Sequence, residues 1–584
     1  MLTQGGDRMA EMERATEGQG PVDREAPPRP TGDDELGFVR RPMVRWLDPH
    51  QLVDTAGRVL ASGFSTSFTD VRQMQALSPA SLIDRSDGDE LWFDYTSDLG
   101  DGWNSTYTIA SLLVQDELEL KFEGETRLTH RGPIVLLGGD QVYPVPTSTE
   151  YQNRFLGPYR AALPSVPPDN APELFAIPGS HDWYDGLVNF TNIFCRQRPI
   201  GGWATSQGRS YFALRLPHRW WVWGIDLQFG DYLDEPQMSY FEQAAEKMER
   251  GDQIILCMAK EVESGRKGSE VFSTRDLTDL EREVVEPAGA RIALYLKSGR
   301  HYYARYEAEN GEAQLVTAGG GGAFLHPTHE LPEEATPSED AGPYRKAAVY
   351  PTAKWSRRLR KRIWLLPAYN LPLAAALGAI QVLVVFMLNL HLDDRHRDLG
   401  FADLARALWE SPTAFLLIIV VIATFGAMIR LAHDASGLPR LLIGVGHSAL
   451  QFGGLGAAIV VASRVTSGWN GAPSLFLFLA LVWLLGGIGG ALGVSGYLWA
   501  TNCLGYHGNE AYAPLHHMDQ KNFLRLHIGP SGDLTVYPIG VDRVCRRWKF
   551  APEGADHEPW LVPADRLPEP HLIESPVVLP APRR

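Results

Sequence analysis

Two hydrophobic patterns divide this chain. Between Leu91 and Gly322, short apolar runs end abruptly in polar, Gly-rich turns. Ile134 to Leu137 leads into Gly138, Gly139 and Asp140. Leu174 to Ile177 leads into Pro178, Gly179 and the cluster Ser180-His181-Asp182. "RWWVWGIDLQ" ends at Asp226, and Ile292 to Leu296 runs into Ser298, Gly299 and His301. Wholly apolar runs this short predict strands buried on both faces. The polar residues at their ends then sit on loops held by a rigid sheet. Trp220, Trp221 and Trp223 are expected in the core.

From Leu365 to Ala500 the pattern changes to four apolar blocks: Leu371 to Leu388, Thr413 to Ile429, Leu441 to Ala462 and Ser474 to Ala500. A bilayer core of about 30 Å needs about 20 helical residues, so each block is expected to span it. Helices of a soluble bundle would each keep a polar face. Gly486, Gly490 and Gly493 suit close helix packing in lipid. His447 and Gln451, one turn apart, are expected to hydrogen-bond between helices. Ahead of the first block, "KWSRRLRKR" (Lys354 to Arg362) carries six basic residues and no acid; His391 to Ser411 carries three basic and five acidic residues. This asymmetry predicts that the chain before the first span is cytoplasmic. Four spans return the residues after Thr501 to the same side.

The organisation expected is therefore a disordered tail over 1–35, a soluble domain over 36–353, a four-helix transmembrane region over 363–500, strands over 501–550 that complete the soluble domain, and a Pro-rich tail over 551–584. "NFLRLHI" and "LTVYPI", separated by the turn signal "GPSGD", predict the C-terminal strand pair Asn522 to Tyr537. The localisation that follows is the cell membrane, multi-pass, with the lipid bilayer as a partner and the soluble domain in the cytoplasm. The first 35 residues are polar, acidic and rich in Pro and Gly, without the basic start and apolar stretch of a signal peptide.

Composition narrows the function. The chain has 584 residues, too many for one compact domain. Its formal net charge of −16 argues against nucleic acid as a partner, since phosphate backbones call for clustered Lys and Arg. Cys195, Cys257, Cys503 and Cys545 are scattered and form no CxxC pair, so reduced thiols are expected.

Carboxylates and imidazoles at several strand ends can converge on a hard metal ion. Singly each is weak, because an Asp after a strand commonly forms a turn or a helix cap. In order and spacing, however, "SDLGDG" (Ser97 to Gly102), "GGDQVYP", "PGSHDWYDG" and "SGRHYYARY" resemble the motifs of the calcineurin-like metallophosphoesterase superfamily. Gly100 two after Asp98, and Tyr143 three after Asp140, are closest to the purple acid phosphatase style of those motifs. The resemblance covers about Trp92 to His329 and extends to Asn522 to Val544. "AGGGGAFLHPTH" and "KNFLRLHIGPSGDLTVYPIGVDRV" are similar to stretches in membrane-inserted bacterial members. The GGGG run lacks a following Gly-Lys-Ser/Thr and reads as a tight turn, not a phosphate loop.

The resemblance implies an α/β fold: a calcineurin-like phosphoesterase β-sandwich flanked by helices, here with an inserted four-helix transmembrane bundle. It implies one or two divalent or trivalent metal ions (Mn, Fe or Zn) per chain; in the family two metals about 3.5–4 Å apart clamp a phosphate ester and activate hydroxide. Asp98 would bind the first metal, Asp140 would bridge, and His301 would be the late imidazole ligand. Tyr143 is either a phenolate ligand or a packed strand-end tyrosine. His181 would donate to the phosphate or protonate the leaving oxygen, oriented by Asp182. Arg305 either pairs with phosphate or forms a structural salt bridge.

The departures fall on one side of the site. Ser180 stands where the family has an Asn ligand. Ser298-Gly299-Arg300-His301 lacks the first imidazole of Gly-His-x-His, and "QIILCMAKEVE" offers Lys260 and Glu261 but no imidazole. His326 or His329 could replace one. The expected function is that of a phosphoric ester hydrolase, a membrane-anchored, metal-dependent enzyme acting on a phosphate ester at the cytoplasmic face with a degenerate second metal site. The rival is an inactive phosphoesterase-fold membrane protein with a binding or regulatory role.

Overall fold

The computed structural model describes residues 28–53, 57, 82–227, 233–259, 274–338, 341–388, 399–410, 413, 416, 418–419, 422–423, 426, 438–469, 471–551, 554–565 and 568–582. Residues 1–27 of the expected N-terminal tail lie outside these, as do Lys260, Glu261 and most of the second apolar block.

Two large sheets face each other. One holds the parallel strands Leu91–Thr96, Ile134–Leu137 and Glu173–Ala176. The other holds the parallel strands Trp220–Ile225, Gln253–Met258, Arg291–Lys297 and Gln314–Ala318, followed by antiparallel Tyr303–Ala308. The continuous apolar runs have a simple cause. Along each strand, alternate side chains point to opposite faces. Ile134, Leu136, Phe175 and Ile177 meet Trp220, Val222, Ile255 and Leu294 between the sheets. Val135, Leu137, Leu174 and Ala176 pack instead under the helix Trp103–Leu113 and its neighbours. Trp221, Trp223, Ile254 and Leu256 pack under Tyr240 and Phe241 of the helix Glu235–Ala245. Both faces of both sheets are covered, so the three tryptophans are core residues with no exposed surface.

The first sheet is completed by residues from beyond the apolar helices. Lys521–Ile528 lies between Leu91–Thr96 and Leu534–Val541, antiparallel to both, with Leu524 opposite Tyr95 and Leu526 opposite Phe93. On the opposite face Arg525 reaches its partner Asp94 at 3.1 Å, both fully buried, and also donates to the carbonyl of Thr129. Burial pushes Asp94 up to about 6, against the pull of that guanidinium.

The Pro-rich end differs from its expectation as a tail. Leu561–Pro563, Pro570–Leu572 and Val577–Leu579 are short strands, and the last two pair with Leu534–Val541. Buried Leu572 and Leu579 hold them, and three-residue strands tolerate the prolines around them. At the other end Arg29 donates to the Ala555 carbonyl and Leu36 is buried, so residues 29–36 belong to the fold.

Among the described residues two helices are long and apolar enough to cross a membrane, Leu441–Thr466 and Ala472–Cys503. A third crossing exists if the pair Ala353–Tyr369 and Leu371–Met387, bent by 60°, counts as one. Among the described residues four spans are not reached, and the second expected block, Thr413 to Ile429, lies mostly outside them. The first block forms only 17 helical residues, roughly 26 Å, because Pro372 sets a new helix start after the bend at Asn370. The helices are joined by side-chain amides. Gln381 Nε2 donates to the Gly486 carbonyl and Gln451 Nε2 to that of Gly490, each at 3.0 Å. A Cβ on Gly486 would collide with Gln381 Oε1, so glycine there permits the contact.

Candidate metal centre

Two strands of the first sheet deliver a carboxylate through a strained turn. Asp98 follows Leu91–Thr96 with φ 57°, and Asp140 follows Ile134–Leu137 with φ 50°. Non-glycine residues in this left-handed region are uncommon and concentrate at functional sites. Two glycines make room. A Cβ on Gly179 would lie 2.1 Å from Asp140 Oδ1, and one on Gly319 would lie 2.5 Å from Asp98 Oδ2.

Four of the sequence-derived residues meet at one atom. The Tyr143 hydroxyl lies 3.1 Å from Asp98 Oδ1, 3.3 Å from Asp140 Oδ2 and 3.0 Å from His301 Nε2. His301 Nε2 is 3.5 Å from Asp98 Oδ1. All four side chains are buried. Asp98 also accepts from Ser97 Oγ and the Gly299 amide, and Asp140 Oδ1 accepts the His181 amide at 2.8 Å.

The tautomer of His301 follows from its other nitrogen. Nδ1 lies 2.7 Å from the Phe324 carbonyl, which can only accept, so Nδ1 carries a proton. In the neutral ring Nε2 is then a lone pair aimed at Tyr143. One phenolic proton is thus ringed by three acceptors. Burial, and then the charge of Asp98, raise the Asp140 carboxyl above the ordinary range. Burial, then Asp140 and Asp98, raise the Tyr143 phenol further still. The cluster is short of positive charge. Two carboxylates, a phenol and an imidazole are a donor set that fits a hard cation. Among the described residues no group of three His, Cys, Asp and Glu side chains stands ready-made as a metal cage; the Tyr143 hydroxyl holds the donors together.

The other expected residues divide. His181 stands beside the cluster, its ring 4.4 Å from that of Tyr143. Asp182 does not orient it: His181 Nδ1 donates to the Pro144 carbonyl at 2.8 Å. Asp182 instead accepts the backbone amides of Gln141 and Gly179 and the hydroxyl of Tyr151, which ties the two site loops together. Burial pushes the His181 imidazole down to about 4. It is therefore neutral at pH 7 with Nε2 unprotonated, a proton acceptor rather than the donor expected. Arg305 is not brought to the cluster. Its guanidinium pairs with both oxygens of Glu574 and with Gln314, because alternation along Tyr303–Ala308 turns it, with Tyr303, toward the bend between Pro570–Leu572 and Val577–Leu579. Ser180 is half-buried and Gly299 supplies only its amide. His326 stacks on His301 with ring centroids 4.0 Å apart, and His329 bonds to Ser356.

Three contributors escaped the sequence reading. Phe324 acts through its carbonyl, which no side-chain pattern reveals. Asp101, in the quoted "SDLGDG", accepts the amides of Val44 and Phe324 and so fixes that carbonyl. Trp46 covers the cluster, with ring contacts to Tyr143, His181 and Phe324 at 5.6–6.0 Å. Its signal was an isolated aromatic in a polar stretch.

No family model matches the chain, and no curated protein sequence matches it significantly. Among solved structures it aligns with "GAP50 the anchor in the inner membrane complex of Plasmodium" at 14% identity, over 41% of this chain and 74% of that one, TM-score 0.28. Purple acid phosphatase PPD1 from yellow lupin seeds aligns at 13% identity, over 46% and 48%, TM-score 0.25. PhoD aligns at 10% identity, over 42% and 59%, TM-score 0.26. Scores this low carry no argument about this chain's activity.

Proposed function

We propose that the chain is a membrane-anchored phosphoesterase that works with a single tightly held metal ion. The observation that carries this reading is the set of three acceptors around one phenolic proton at Tyr143. Asp98, Asp140, Tyr143 and His301 would hold the ion, which when bound supplies Lewis acidity toward a phosphate oxygen. Neutral His181 offers Nε2 as an acceptor for the proton of an attacking water. Trp46, Phe324 and the buried strand ends keep bulk water from the charged oxygens.

Ser180, Gly299 and the residues after Ala259 would hold a second ion poorly. That gap favours the rival reading, a scaffold that binds without catalysis. Metal analysis of the purified chain, with hydrolysis of a generic phosphomonoester and phosphodiester, separates the two. One ion per chain and hydrolysis lost in Asp140→Ala are the expected results. A chain that takes up no metal, with Asp140→Ala indistinguishable from wild type, leaves the scaffold.

A further inference from the structure

Ahead of the apolar helices, Lys354, Arg357, Arg358, Lys361 and Arg362 recur at steps of three and four residues along Ala353–Arg360 and the turn Lys361–Leu365. All five are exposed, and none is paired with a carboxylate among the described residues. The opposite side is not free. Leu359, Ile363 and Leu366 pack with Leu498 of the longest apolar helix, with Leu325 next to the metal cluster, and with Tyr512. This stripe is therefore a fixed face of the fold rather than a flexible arm.

Its neighbours say what it faces. Trp364 and Leu365 directly follow it and are 45% and 49% exposed. Trp364 lies 6.1 Å from Trp499, near the end of Ala472–Cys503 and also exposed. Exposed tryptophans at the end of an apolar helix mark the boundary between water and hydrocarbon. Five cations at that boundary sit at the level of lipid phosphates. The whole chain carries −16, so an anionic surface repels it elsewhere and attracts it here.

We infer that this stripe is a binding surface for anionic phospholipid headgroups. The inference rests on the reading of the apolar helices as membrane spans. The experiment uses the full chain in nanodiscs of phosphatidylcholine alone or mixed with phosphatidylglycerol, counting the lipids retained after detergent extraction. Wild type should enrich phosphatidylglycerol at least about fivefold, the effect of a single well-placed basic side chain. Raised salt should erode the enrichment. Substituting all five by Gln should bring it close to one. Chains that enter no nanodisc sink the span reading. Chains that enter but show no anionic enrichment, or one insensitive to salt in wild type, overturn the inference even if the Gln variant does not fold. Displacement by soluble glycerol phosphate at equal phosphate concentration overturns it in favour of a free-phosphate site.

Discussion

The two sides of the candidate site are built from the same kind of element, loops after parallel strands, yet only one is furnished. On the Tyr143 side two carboxylates, a phenol and an imidazole meet at one hydroxyl, and the two aspartates are held in left-handed turns. On the Ser180 side a hydroxyl and a glycine occupy the corresponding loops. A sheet depends on its apolar strands, so losing ligands from one loop leaves the fold intact. The furnished side, by contrast, carries the cost of burying two acids side by side, and burial with the charge of Asp98 raises the Asp140 carboxyl.

The comparison breaks most sharply at Asp140. Asp140→Ala should remove all bound metal, read by elemental analysis of purified protein. Asp140→Asn should do the same, yet in chelator-treated protein it should raise stability by about 1–3 kcal/mol, since it removes a buried like charge. A destabilised metal-free Asp140→Asn chain counts against the charge argument. Asp182→Ala comes next. It strands the amides of Gln141 and Gly179, and should cost roughly 2–4 kcal/mol in denaturant unfolding. Furnishing the bare side should have a smaller effect. Ser180→Asn should raise second-metal occupancy slightly. Gly299→His should add a ligand at a cost of about 1–2 kcal/mol, because Gly299 has φ 87°. Second-metal occupancy unchanged in the double variant would show that more than ligands is missing.

The smallest effect concerns acid. Burial drives the His181 imidazole down to about 4 and that of His326 well below its usual value. As pH falls, the unfolded chain takes up these protons first, near 6.5. Stability present above about 6.5 is therefore lost as pH falls toward 4. The raised carboxyls of Asp94 and Asp140 act in the opposite sense over the same window, so the rings are read from the difference between wild type and His326→Gln at constant ionic strength: the melting temperature of wild type relative to the variant should fall between pH 6.5 and 4. A difference that does not change with pH would mean that His326 is not buried as described.

The site was legible where a side chain bears its own signal after an apolar run, as with Asp98, Asp140 and His301. It was illegible where backbone acts. The Phe324 carbonyl sets the His301 tautomer, and the Pro144 carbonyl accepts the His181 hydrogen bond that the resemblance had given to Asp182. Arg305 illustrates a third limit: its partner Glu574 is far away in sequence and sits in a stretch whose strands are too short for periodicity to register. The apolar blocks gave hydrophobicity but not helix length, which Pro372 and Asn370 decide.

The placement of Lys521–Ile528 against Leu91–Thr96 orders events during synthesis. A ribosome adding about 5–20 residues per second needs tens of seconds to travel from one strand to the other. Throughout that interval the Leu91 strand is an open edge, and the apolar helices emerge before its partner does. The sheet therefore closes only after the helices have been made. Nascent chains stalled just past Cys503 should be cut by protease within 91–177, and released full-length chains should resist.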